Sequence, residues 1–291
     1  MDIAQLRNFL RIVELGSFTG AARACGLTQP ALSQQIARLE AELGCPVLER
    51  LGRHVTPTDA GERLRRQAEQ IVALVDDAVR EVKDDGETGK VSVAAIPTIA
   101  PYFLPAVLGR FRERCPAARI EVNEETTESL VRRCQQGEID VGILALPAEA
   151  RHLEVEPLFD EELLVVLPAG HPLADRPSVA MNDVRAEPFV LLEEAHCLSE
   201  HILSFCQKRR FQPIATGRAN QLATIQELVA LGLGVSFIPE MARKLDASPR
   251  RAYRPVEGKR PTRSIAACWN PHRYRSKLSA KFLQAVRDEA G

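Results

Sequence analysis

Ser17-Phe18-Thr19-Gly20-Ala21-Ala22-Arg23-Ala24-Cys25-Gly26-Leu27-Thr28-Gln29-Pro30-Ala31-Leu32-Ser33-Gln34-Gln35-Ile36-Ala37-Arg38-Leu39-Glu40-Ala41-Glu42-Leu43-Gly44 carries two helix signals separated by one glycine turn. Ser17 caps the first, whose Ala21, Ala22 and Ala24 let a neighbouring helix approach closely. Gly26 ends it. Thr28 is a good N-cap and Pro30 is tolerated in the first turn, so a second helix is expected over 29–43, stopping at Gly44. Two helices joined by a tight Gly turn predict a helix-turn-helix, whose second member enters a major groove.

On that second helix Leu32, Ile36 and Leu39 face inward, while Thr28, Gln29, Pro30, Ser33, Gln34 and Arg38 lie on the outer face. Gln and Arg can pair with base edges, and Ser or Thr can donate to bases or phosphates. A solvated face on a helical hairpin would have the same composition. Upstream, Leu6, Phe9, Leu10, Ile12 and Val13 give a helical period up to Gly16. Downstream, the alternation from Leu48 to Thr58 about Gly52 predicts a β-wing, with Arg50 and Arg53 available to phosphates. Residues 1–66 hold nine Arg against seven Asp and Glu, a local excess of two, in a chain whose net charge is -1. From 59 a long helix follows with apolar residues at Leu64, Ala68, Ile71, Val75, Ala78 and Val82. This heptad seam predicts a dimer contact, although packing against the same domain would give the same spacing. Asp84-Asp85-Gly86-Glu87-Thr88-Gly89 breaks the helix as a hinge would.

These residues resemble the LysR-type transcriptional regulators: Phe18-Thr19-Gly20-Ala21-Ala22, Leu27 to Ser33, Leu39-Glu40 through Leu43-Gly44, Leu48-Glu49-Arg50, and Leu51-Gly52-Arg53 leading to Thr56-Pro57-Thr58-Asp59-Ala60-Gly61. The resemblance runs along essentially the whole chain. It implies a winged helix-turn-helix over 1–58, a dimerisation helix and hinge over 59–89, and over 90–291 a two-lobed α/β effector domain like those of periplasmic binding proteins. It also implies promoter DNA, a homodimer or homotetramer, a small effector and RNA polymerase as partners.

Past residue 90 strand-like runs at 91–96, 120–122, 141–146, 163–167, 189–192 and 235–238 alternate with helical segments, as in a parallel-rich α/β sheet. A last strand over 264–268 and a final helix over 276–290 are expected to return to the first lobe. With 291 residues, 45% hydrophobic and 26% charged, the composition is that of a globular protein of about two domains. No stretch approaches the ~20 apolar residues of a membrane span, and no secretory block opens the chain, so a cytoplasmic location is expected. No GxSxG, P-loop, GxGxxG or HExxH occurs, and the seven cysteines form no metal-ligand spacing. A non-enzymatic protein without metal or cofactor is expected.

Cys197 and Cys206 sit nine positions apart in a stretch that otherwise reads as one amphipathic helix. Nine helical residues span about 13 Å and end on nearly opposite faces, whereas a disulfide needs Cα atoms within roughly 7 Å. A bond between them would require the helix to melt. Cys197 follows His196 near a helix start, where the dipole and a protonated imidazole would lower its pKa; Glu193 and Glu194 oppose this. Thr98 follows the first strand, either as a helix N-cap or as a hydroxyl offered to a small polar ligand.

Ile96-Pro97-Thr98 with Pro101-Tyr102, Ile143-Leu144-Ala145-Leu146, Pro157 to Glu161, and above all His196-Cys197-Leu198 with Phe205-Cys206 are similar to the OxyR-type hydrogen peroxide sensors of that family. The similarity implies that Cys197 is the peroxide-reactive thiol and Cys206 its resolving partner in a redox-active disulfide, with Thr98, Thr127 and His196 around the sulfur. That subgroup usually carries an arginine after the last strand, where this chain reads Trp269-Asn270-Pro271, so Asn270 is expected in its place and a cation is expected to be missing. The alternative is a regulator of the same family gated by a small organic anion in the cleft.

Overall fold

The computed structural model describes residues 1–51, 54–194 and 196–291, with only the backbone of Arg50 and Leu51. The chain forms two compact units, Met1–Lys83 and Asp84–Gly291.

In the first unit α1 (Ile3–Leu15) opens with a capping box, Asp2 accepting from the Gln5 N–H and Gln5 accepting from the Asp2 N–H. It closes at Gly16 in the left-handed conformation. The helices α2 (Phe18–Ala24) and α3 (Gln29–Leu43) follow with Ser17 and Thr28 as N-caps, as the sequence predicts. Leu6, Phe9 and Ile12 of α1, Ala21 and Ala22 of α2, and Leu32, Ile36 and Leu39 of α3 close one core. Burying each large side chain contributes roughly 1.5–3 kcal/mol. The strands β1 (Leu48–Leu51) and β2 (His54–Pro57) pair antiparallel as a wing. Arg53, expected to contact phosphate, lies outside the described residues, as does the Arg50 side chain.

The long helix α4 (Asp59–Lys83) corrects the expected seam. Ala68 is buried in the core of its own unit, and Leu64, Ile71 and Val72 pack against that core. These positions are occupied within one chain, because α1 lies along this half of α4 and needs the same spacing of apolar residues. Farther along, Leu74, Val79 and Val82 are exposed, with Ala78 beside them and Val75 half-buried.

The second unit has two lobes. Lobe I is built from β3 (Gly89–Ala95), α5 (Ala100–Arg114), β4 (Ala118–Glu124), α6 (Thr127–Gln136) and β5 (Val141–Leu146), with β3 parallel to both β4 and β5. The strand β6 (Glu154–Pro168) then leaves for lobe II. Lobe II holds α7 (Met181–Val184), β7 (Pro188–Leu192), α8 (Cys197–Lys208), β8 (Ile214–Ala219), α9 (Leu222–Ala230), β9 (Ser236–Pro239), α10 (Glu240–Lys244) and β10 (Arg251–Arg254). The chain returns along β11 (Thr262–Trp269) and ends in α11 (Lys277–Ala290), which buries Phe282, Leu283 and Val286 in lobe I. The return to lobe I is as expected. The sheet is mixed, since β11 runs antiparallel to both β5 and β6. The first part of β6 pairs with β11, and its continuation, Leu163 to Pro168, pairs with β9 and β10. One strand therefore serves both lobes.

Candidate functional site

The first unit presents Thr28, Gln29, Pro30, Gln34 and Arg38 on the exposed face of α3, with Ser33 half-buried among them. Thr28 also accepts the Ala31 N–H, which fixes the start of this face. The polar residues picked from the sequence thus share one side of one helix.

In the second unit, Cys197 is the first residue of α8, with His196 at the N-cap. The first turn is tied down by Ser199, whose buried hydroxyl donates to the Leu192 carbonyl at the end of β7 (3.1 Å). Across from it, Thr127 opens α6 behind the capping residue Thr126. Thr98 lies in the turn between β3 and α5. It is not the helix cap, which is Ile99. Ile96, Pro97, Thr98, Thr126, Thr127, His196 and Cys197 line one recess. Thr98, Thr127, His196 and Cys197, expected together from the sequence, are therefore neighbours.

Asn270 is not. Its side-chain amide donates to the Gln135 carbonyl at the end of α6 (2.8 Å), and its oxygen accepts the His272 N–H (2.9 Å). The cation comes from a residue the sequence reading missed. Arg263, fully buried at the head of β11, donates through Nη1 to the Thr98 hydroxyl (2.8 Å) and through Nη2 to the Thr98 carbonyl (3.0 Å). Its Nε donates to Glu161 Oε2 (2.8 Å), its cross-strand partner on β6. Glu161 Oε1 accepts the Met241 N–H at the start of α10 (2.8 Å). This buried ion pair is satisfied on both sides, which is what makes it tolerable in a low-dielectric interior. Arg263 was legible in one respect: it is in phase with Ile265 and Ala267, so period two turns it to the same face of the sheet.

Burial pushes the Cys197 thiol up. Four effects oppose it: the Thr127 hydroxyl, the Arg263 charge, and the Leu198 and Cys197 backbone N–H groups at the helix start. The sequence sets the helix start and imidazole against two glutamates; in the structure desolvation, which the sequence does not show, outweighs the helix start and the cation. Thr127 Oγ1 is buried and makes no other hydrogen bond among the described residues. Thr98 accepts from Arg263 and keeps its own hydroxyl proton to donate. Glu194, one of the two opposing carboxylates, pairs with Arg218 (2.8 Å).

Cys206 is set differently. It is fully buried in the lobe II core with Leu198, Ile202 and Phe211, and desolvation alone pushes its thiol up to about 12. Cys197 packs instead against the core of lobe I. All seven cysteines are free.

Residues 3–62 match the bacterial regulatory helix-turn-helix proteins of the lysR family, and residues 84–291 match the LysR substrate-binding domain. The chain belongs to the LysR family of DNA-binding transcriptional regulators. Among relatives, a probable hydrogen peroxide-inducible genes activator of Mycobacterium avium is 38% identical over 86% of this chain and 81% of its own length. The DNA-binding transcriptional dual regulator OxyR of Escherichia coli is 34% identical over 99% and 95%. Full-length OxyR from Pseudomonas aeruginosa superposes with a TM-score of 0.78 at 28% identity, covering 100% of this chain and 94% of the other. A hydrogen peroxide-bound mutant of Corynebacterium glutamicum OxyR gives 0.65 at 30%, covering 99% and 92%. Among the described residues no helix is long and apolar enough to cross a membrane.

Proposed function

We propose that the protein is a transcriptional regulator switched by hydrogen peroxide at Cys197, with Cys206 as the resolving thiol. The observation that carries this reading is the recess at the start of α8, where hydroxyls, an imidazole and a buried guanidinium surround one sulfur. The Cys197 thiolate attacks one peroxide oxygen and the O–O bond breaks. One oxygen leaves as water after taking a proton, and the sulfur becomes a sulfenic acid. Thr98 and Thr127 are set to donate to the peroxide oxygens, and His196 borders the same space. The Cys206 sulfur then displaces the sulfenic oxygen as a second water, closing the disulfide. Along an intact α8 the two residues are about 13 Å apart, so the helix must unwind first, withdrawing Leu198, Ile202 and Cys206 from the lobe II core.

The read-out in this proposal is α3 in the major groove of promoter DNA, in a homodimer or homotetramer that contacts RNA polymerase. The exposed Leu74, Val79 and Val82 of α4 supply the contact for a second copy. Val82→Asp should dissociate that contact in sedimentation without lowering the unfolding midpoint, whereas Ile71→Asp should lower the midpoint. Peptide mapping under non-reducing conditions tests the switch. A Cys197–Cys206 linkage should form in peroxide and be absent in Cys197→Ser, while Cys206→Ser should stop at the sulfenic acid. No linkage at peroxide levels that leave Cys115 untouched would sink the redox reading.

A further inference from the structure

Lobe I contains a second pair of thiols. Cys134 on α6 and Cys268 on β11 are both fully buried, and their side chains share a hydrogen bond. Cys268 stands directly opposite Gly142 in the ladder between β11 and β5. A Cβ on Gly142 would lie 2.9 Å from Cys268 Sγ and 3.1 Å from Cys134 Sγ. Both sulfurs therefore converge on the space that a side chain at 142 would fill. Ten strand and helix segments separate the two residues in sequence, and the packing of α6 on β5 and β11 brings them together. The hydrogen bond between them, and then burial, push the Cys134 thiol up.

We propose that Cys134 and Cys268 form a second dithiol–disulfide couple, confined to lobe I and oxidised by hydrogen peroxide more slowly than Cys197. The oxidant is that of the proposed function, but the cysteines are separate. One sulfur takes a peroxide oxygen as the O–O bond breaks, leaving a sulfenic acid and one water. The other sulfur displaces that oxygen, which leaves as a second water with the remaining thiol proton. Two thiols give up two electrons to one peroxide, and the balance closes. Only the Arg133 charge opposes the rise at Cys134, whereas hydroxyl, cation and helix-start groups oppose it at Cys197, so the rate should be at least about tenfold below that of Cys197.

The position of the pair gives the bond a consequence. The helix α6 begins at Thr127, which faces Cys197, and the second residue of β11 is Arg263, which holds Thr98. At the other end Asn270 and Arg273 donate to the Gln135 and Gln136 carbonyls of α6. A covalent link between these two elements fixes the lobe I wall of the recess. The Cys197 switch leaves that wall free, so the two couples would differ in both dose and effect.

The test uses the full chain carrying Cys197→Ser, which cannot form the first linkage, beside the wild type. Each is exposed to rising hydrogen peroxide, quenched with catalase, unfolded in an alkylating agent and mapped without reduction. A Cys134–Cys268 linked peptide should appear in both, with the loss of two hydrogens and two free thiols, and should vanish in Cys134→Ser. If Cys25 and Cys45 are oxidised while Cys134 and Cys268 are still alkylated, the proposal is overturned and the two sulfurs serve only as packing. A linkage that forms only after unfolding overturns it equally. Failure of the first switch would be read separately, as a missing Cys197–Cys206 peptide in the wild type.

Discussion

The two ends of α8 put the same functional group into opposite surroundings. At its start Cys197 meets the Thr127 hydroxyl, the Arg263 charge and two backbone N–H groups; near its end Cys206 meets Leu198, Ile202 and Phe211. Burial raises both thiols, but only at Cys197 does anything act against it. Depth therefore does not separate a reactive sulfur from an inert one here. What separates them is whether the anion, once formed, finds donors and a cation.

Removing the cation should have the largest effect. Arg263→Ala leaves Glu161 buried without its partner, and unfolding in urea should show a loss of about 3–5 kcal/mol. A loss below about 1 kcal/mol would mean that the charge at the lobe junction is satisfied by other means. Next come the thiols themselves. Cys206→Ser places a hydroxyl in an apolar core and should cost about 1–3 kcal/mol, whereas Cys197→Ser, beside polar groups, should cost about 0.5 kcal/mol or less. Equal losses would erase the contrast between the two ends.

The pH dependence sharpens it further. The folded-state pKa of Cys206 is raised from 9.0 to about 12. Its contribution to stability is thus complete below about pH 9 and is lost as pH climbs towards 12, by linkage. Cys206→Ala should remove that part of the alkaline destabilisation in urea titrations at successive pH values. The smallest effect is expected from Thr127→Val, which deletes one hydroxyl opposing desolvation. Alkylation of Cys197 at neutral pH should slow about two- to tenfold, the worth of one hydrogen bond, with its pH midpoint moved upward. An unchanged profile would assign the thiolate's support to Arg263 and the helix start alone.

The helix-turn-helix was legible because caps, glycine stops and apolar period all agree over 17–44. The seam of α4 was only half legible: spacing records that a face is covered, and not whether α1 or another chain covers it. The recess was legible in its hydroxyls, His196 and Cys197. Its cation was not, because the expected strand started at 264 and the observed one starts at Thr262. Those two extra residues bring Arg263 into the ladder opposite Glu161. The resemblance puts the subgroup's arginine after the last strand, which pointed to Asn270 at the opposite end of β11.

The continuity of β6 has a consequence for how this chain can change over evolutionary time. Residues up to Glu162 are in register with β11, and residues from Leu163 with β9. Side chains alternate faces along a strand, so inserting or deleting one residue at this junction would turn every later side chain of β6 to the wrong face. The loops at 147–153 and 169–178 carry no such constraint. Homologous chains should therefore vary in length in those loops and keep one fixed count of residues between Glu161 and Leu167.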